Sequence, residues 1–250
     1  MYHSPANRYQ EMVQCMDARC IVRYNSFLIE PTINRSCIVW HSQAMGQNCI
    51  GIERFIIHES QYEEFMTEIT ERVRKLRLGS ILAPSSEGFV SVVDGGAMIN
   101  DDRFETLERL IRDAEDQGAE LICGGARWRH PYVENGSYFQ PTLLGNVQHT
   151  MEIAQQEGIY LVYVDILAKP NPSLPFPVFA PIMLVMKYSN AEEAVDIANG
   201  TRYGLGASVF GPDSRLCKEV ALALECGMVS VNDFGVYYVS VLPLFVLPPH

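Results

Sequence analysis

From residue 50 onward the apolar positions alternate between short unbroken runs and runs with helical spacing. Ile50-Gly51-Ile52 and Phe55-Ile56-Ile57 predict one buried strand. Tyr62, Phe65, Met66, Ile69, Val73 and Leu76 then recur every three or four residues, which predicts a helix with one apolar face. Ser60 with Glu63 reads as a capping box opening that helix, and Gly79 as its stop. A second helix is predicted over about 102–117, with Phe104, Leu107, Leu110, Ile111 and Ala114 on its buried face. Gly118 ends it, and Leu121-Ile122-Cys123 follows as a short strand. The same order returns later. Ile182–Met186 is a strand, Ser189 and Glu192 box a helix through Ala194, Val195, Ile197 and Ala198, and Asn199-Gly200 stops it. Leu205–Phe210 is a strand, Asp213 or Ser214 caps a helix through Leu216, Val220, Ala221 and Leu224 that Gly227 ends, and Met228–Val231 is the last strand. Strands alternating with helices in this way predict an α/β fold built on a mostly parallel sheet, over about 41–238.

Three stretches lack this order. Residues 1–40 show no sustained period and receive no element. Residues 158–177 place an apolar run before a cluster of prolines, and 239–250 form an irregular apolar tail. At codon level, Gly158-Ile159-Tyr160 fits a splice donor and Pro177-Val178 an acceptor. The expectation is therefore that 158–177 is translated intron, with Val239-Ser240 starting a second read-through.

Composition narrows the function. With 30 acidic against 19 basic residues and a formal net charge of −11, the chain is a poor match for the phosphate backbone, so no nucleic-acid partner is expected. No apolar run reaches the roughly 20 residues that span a membrane. The N-terminal Met1-Tyr2-His3-Ser4-Pro5 lacks the features of a secretory signal, which predicts a cytoplasmic protein. Seven cysteines without a C-x-x-C pair predict neither a disulfide framework nor structural zinc, and no metal site is expected. Most of them read as small buried hydrophobes.

One cysteine has informative neighbours. Gly46-Gln47-Asn48-Cys49 immediately precedes the first strand. Further on stand Tyr138-Phe139-Gln140-Pro141-Thr142-Leu143, Ala198-Asn199-Gly200-Thr201, Tyr203-Gly204-Leu205-Gly206-Ala207-Ser208-Val209-Phe210 and Gly227-Met228-Val229-Ser230-Val231-Asn232. Together, and in this order, they resemble the NAD(P)-dependent aldehyde dehydrogenase superfamily. The resemblance implies that family's catalytic domain, a mostly parallel three-layer α/β/α sheet, over 41–238 with the insert 158–177 and with 1–40 unassigned. It implies oxidation of a small-molecule aldehyde with NAD or NADP as acceptor, and Cys49 as the nucleophile. It also implies that Glu157 binds the nicotinamide ribose and Phe179 packs near the ring. Those two belong to a Glu-x-Phe-Gly-Pro motif that is split here by the insert, with Ala180 where the family usually has glycine. Asn232 and Phe234 fall where the family lines its substrate entrance, although a plain strand-end role suits the two residues equally well.

The resemblance is partial. Forty unpatterned residues upstream of the cysteine are too few for the family's cofactor domain. No counterpart of its oxyanion asparagine or general-base glutamate is found, and Glu11 is not assigned that role. Two outcomes are therefore expected: an impaired oxidoreductase, or a non-catalytic fragment or pseudoenzyme that keeps the fold and binds other subunits, including copies of itself. A thiol hydrolase pairing Cys49 with His41, His58, His130 or His149 has no motif behind it. The acidic pairs Glu63-Glu64, Glu192-Glu193 and Asp101-Asp102 read as helix-start residues, and Arg127-Trp128-Arg129-His130 as a solvated turn.

Overall fold

The structure, a computed structural model, describes residues 19–23, 43–48, 51–80, 93–131, 136–156 and 179–233. Cys49, Glu157 and Phe234 lie outside the described residues, as do 158–177 and 239–250. In chain order the elements are β1 (Arg19–Arg23), β2 (Arg54–His58), α1 (Glu59–Arg74), α2 (Phe104–Asp116), β3 (Glu120–Cys123), β4 (Arg127–Trp128), β5 (Tyr138–Phe139) and β6 (Thr142–Gly145). They continue as α3 (Glu152–Gln155), β7 (Ile182–Tyr188), α4 (Ala191–Asn199), β8 (Gly206–Phe210), α5 (Ser214–Ala223) and β9 (Met228–Val231).

Seven strands form one sheet in the order β3-β6-β7-β2-β1-β8-β9. Among the described residues of this sheet, the β3–β6 pairing is antiparallel and the others are parallel. Alternation within the strands divides the core into two faces. Phe55 and Ile57 of β2 join Tyr62, Phe65, Met66, Ile69 and Val73 of α1 on one side. Ile56, Leu144, Leu184, Met186, Ala207 and Val209 face α2, α4 and α5 on the other. Helices on both faces of a mostly parallel sheet make the three-layer α/β/α architecture that the sequence implies.

Several local expectations are corrected. The strand expected over 50–57 is β2, which begins at Arg54, so Gly51 and Ile52 are buried ahead of it rather than within it. Ser60 does not cap α1, because the helix already begins at Glu59 and the cap is His58, whose Nδ1 accepts from the Ser60 N–H at 3.2 Å. Helix α1 ends at Arg74, well before Gly79. In α4 the cap is Asn190, whose side chain accepts from the Glu193 N–H at 3.0 Å, while the Glu193 carboxylate accepts from Ser189 N at 2.8 Å. The reciprocal pair thus uses Glu193 rather than Glu192. Asp213 caps α5 as expected, and α5 ends at Ala223, ahead of Gly227. Arg127-Trp128 is no solvated turn: it pairs with Tyr138-Phe139 in a two-stranded ribbon, with Trp128 edge-on to His130 and Tyr138. The unpatterned N-terminal region supplies β1, a strand between β2 and β8.

His58 joins two elements. Its Nδ1 caps α1, and its Nε2–H donates to Ser189 O at 3.2 Å beside β7. His58→Ala is expected to cost about 1 kcal/mol, and His58→Asn, which restores a capping acceptor, to recover most of it. Urea unfolding checks this; equal losses in the two variants would show that the cap contributes nothing.

Candidate active site

The residues before Cys49 adopt an unusual backbone. Ala44, Met45 and Gly46 all have positive φ, at 50°, 56° and 72°. Only glycine adopts this region without penalty, so Ala44 and Met45 must be held there by their surroundings. Met45 is buried, its thioether sulfur against Gly95. Gly46 is packed so closely that a Cβ would overlap the Ala180 carbonyl and crowd the Pro181 nitrogen. The Gln47 amide holds the turn from both ends: Nε2 donates to Ala44 O at 2.8 Å, and Oε1 accepts from the Ile99 N–H at 3.0 Å. The Gly51 N–H then donates to Asn48 O at 2.7 Å, across positions 49 and 50.

The surface against which this turn packs is also fixed. Ala180 is buried, Pro181 O accepts from Thr142 N at 2.8 Å, and Phe179 stands half-buried just before them. Thr142 accepts from Gly125 N at 2.9 Å and donates to Gln140 O at 2.8 Å, which accounts for the polar residue in the Phe-Gln-Pro-Thr run. The flank of Cys49 and the segment carrying Phe179 therefore meet at the N-terminal ends of β2, β6 and β7. Beside them the 93–100 segment is tied down by Arg77 and Asp94, paired through both carboxylate oxygens at 2.7 and 3.1 Å. These bonds from Arg77 hold the Asp94 carboxyl below its ordinary range.

Arg54, which no sequence motif marks, lies at the same edge. It is only 2% exposed, and its guanidinium donates to Ile197 O at 3.3 Å and Ala198 O at 3.2 Å, with Thr201 Oγ1 at 3.5 Å. The Ala-Asn-Gly-Thr motif is thus the end of α4 receiving a buried cation. Its Asn199 ties α4 to the end of α5, donating to Ala223 O and accepting from Glu225 N, both at 2.9 Å. A charged residue inside the apolar run 50–57 was the available signal.

Asn232 is placed elsewhere. It follows β9, at the C-terminal edge of parallel strands whose N-terminal edge carries the Cys49 flank, roughly 16 Å of strand away. Its side-chain amide donates to Gly211 O at 2.9 Å and accepts from Gly211 N at 2.8 Å, extending the β8–β9 pairing by one residue. Among the described residues no group of three or more histidine, cysteine or acidic side chains is placed to hold a metal, and no helix is long and apolar enough to cross a membrane.

Comparison with known proteins agrees with the fold. The chain is 43% identical over 201 residues to a putative aldehyde dehydrogenase-like protein of Schizosaccharomyces pombe, covering 80% of this chain and 33% of that protein. It is 41% identical to a similar protein of Saccharomyces cerevisiae, covering 80% and 28%. The chain thus spans about a third of the length of these curated relatives. An apo structure of betaine aldehyde dehydrogenase from Staphylococcus aureus superposes with a TM-score of 0.70 at 24% identity, covering 88% of this chain and 38% of that one. The described sheet is therefore that of an aldehyde dehydrogenase catalytic domain. The family match covers residues 34–159 and 171–245: its break falls within 158–177, and its second part runs on into the 239–250 tail. By that match, the chain belongs to the aldehyde dehydrogenase family.

Proposed function

We propose that this chain carries the thiol half of an aldehyde oxidation, with Cys49 as the nucleophile. The observation behind this reading is the contact of Gly46 with Ala180 and Pro181, which seats the flank of Cys49 against the segment that bears Phe179. In this reading the Cys49 thiolate adds to the carbonyl carbon of a small-molecule aldehyde, forming a C–S bond and a tetrahedral oxyanion that backbone N–H groups stabilise. NAD or NADP, when bound, would accept the hydride that converts this adduct to a thioester. Phe179, half-buried beside Ala180, would pack at the nicotinamide end of such a cofactor, and Glu157 would take the ribose hydroxyls. Related structures from Staphylococcus aureus hold NAD+, which supports this cofactor class.

No residue is assigned the oxyanion amide or the glutamate that activates the hydrolytic water. The expected behaviour is therefore adduct formation with impaired turnover. The test uses purified 1–250, an aldehyde panel, and NAD or NADP. Aldehyde is expected to protect Cys49 from iodoacetamide, read by mass spectrometry of its peptide, with no sustained NAD(P)H formation. Absence of protection would overturn the nucleophile assignment. Sustained turnover that Cys49→Ser abolishes would overturn the impairment.

A further inference from the structure

We propose that Gln47 is the positioning residue of the Cys49 loop, clasping it between its own left-handed turn and the 95–100 segment. The inference rests on the nucleophile reading of Cys49 and goes beyond it by naming what aims that residue. Three observations converge on Gln47. The turn it closes holds three successive positive-φ residues, two of them not glycine, an arrangement that local propensity opposes. Both ends of its amide are used, the donor on Ala44 O inside the turn and the acceptor on Ile99 N across the loop. Beneath the same turn, Met45 fills the space over Gly95, so the turn and the 95–100 segment are also packed together.

A shorter side chain could not bridge both partners, and an acid in its place would set an acceptor against the Ala44 carbonyl. Glutamine suits the position because it carries a donor and an acceptor at one end of a flexible stem. The Ile99 side chain is 92% exposed, so the contact that matters there is its backbone N–H.

The experiment measures the rate of Cys49 alkylation against pH in the 1–250 chain, with Cys123, whose thiol burial pushes up, as the internal reference. Gln47→Met removes both hydrogen bonds at nearly constant volume. It is expected to lower the plateau rate at Cys49 about tenfold, as misplacement of a reacting group does, and to leave the Cys123 rate unchanged. Gln47→Glu keeps the Ile99 acceptor and is expected to recover part of the loss. Ile99→Pro deletes the N–H while leaving Gln47 intact. Its effect should fall short of that of Gln47→Met, which also loses the Ala44 bond, and the double variant should be no worse than Gln47→Met alone. An unchanged Cys49 rate in Gln47→Met, or additive losses in the double variant, would overturn the proposal. So would faster labelling of Cys49, which would mean that Gln47 only covers the loop. Failure of the nucleophile reading would appear separately, as wild-type Cys49 reacting no faster than Cys123; the ratios between variants test Gln47 in either case.

Discussion

Gly46→Ala is expected to remove the reactivity of Cys49 and to destabilise the protein by about 2–4 kcal/mol, from left-handed strain of about 1 kcal/mol plus the cost of overpacking. Steric conflict is the larger part. The added methyl would overlap the Ala180 carbonyl and stand 3.0 Å from Pro181 N, and these are backbone atoms that cannot rotate aside. Pro181 is itself held by the Thr142 N–H, so the strain must be relieved on the Gly46 side, by lifting the 43–48 turn. Lifting that turn moves the flank of Cys49, so the loss at the site should exceed the loss in stability. Two controls separate the causes. Gly118 has φ +103° with open space around it and carries only the conformational penalty, about 1 kcal/mol on alanine substitution. Gly96 has neither the positive φ nor a neighbour within 4 Å, and Gly96→Ala should be neutral within about 0.5 kcal/mol. Thermal unfolding and Cys49 alkylation are measured on all three. If Gly46→Ala behaves like Gly118→Ala, the contact with Ala180 does not position the loop.

What the sequence made legible follows from where each signal resides. Helices α1, α2, α4 and α5 announce themselves because each buries one face, and the 3.6-residue period survives in Phe65, Ile69 and Val73 or in Leu107, Leu110 and Ala114. Strands β2, β7, β8 and β9 are visible as apolar runs because the parallel sheet is covered on both faces. The expected cap Ser60 lies two residues past the cap of α1, and Ser189 one residue before the cap of α4. Ser-x-x-Glu occurs in both places, but the residues that take the cap backbone, His58 and Asn190, precede the first helical residue in each. Strand β1 was invisible for a different reason. Arg-Cys-Ile-Val-Arg carries no period of its own, and its partners β2 and β8 lie far away in the chain, so nothing local records the pairing. At the candidate site, the run Gly46–Cys49 could be found by its spacing, whereas the contact between Gly46 and Ala180 and the clasp of Gln47 on Ile99 exist only once distant segments meet.

Arg54 presents the second large effect, and there the sign has to be argued. Removing the side chain in Arg54→Ala leaves a cavity and strips the carbonyls of Ile197 and Ala198 of their donor, for an expected loss of about 3–5 kcal/mol. Arg54→Met tests which part of that loss is electrostatic, because methionine retains most of the packing and none of the charge. Two terms oppose each other in this variant. Methionine forfeits charged hydrogen bonds worth about 1.5–3 kcal/mol each and the attraction of a cation to the C-terminal end of α4, worth up to about 2 kcal/mol. It also relieves the burial of a guanidinium whose Nε has no partner among the described residues and which forms no ion pair among them. Burial of an unpaired charge is the costlier situation in general, but here the charge faces the negative end of a helix through two carbonyls, and the bonds should win. The expected order of stability is wild type, then Arg54→Lys, then Arg54→Met, then Arg54→Ala, with lysine intermediate because one ammonium cannot fork across both carbonyls as a guanidinium does. Urea unfolding of the four proteins checks the order. A methionine variant as stable as wild type would mean that the hydrogen bonds only offset desolvation, and that the charge at this edge of the sheet contributes nothing net to folding.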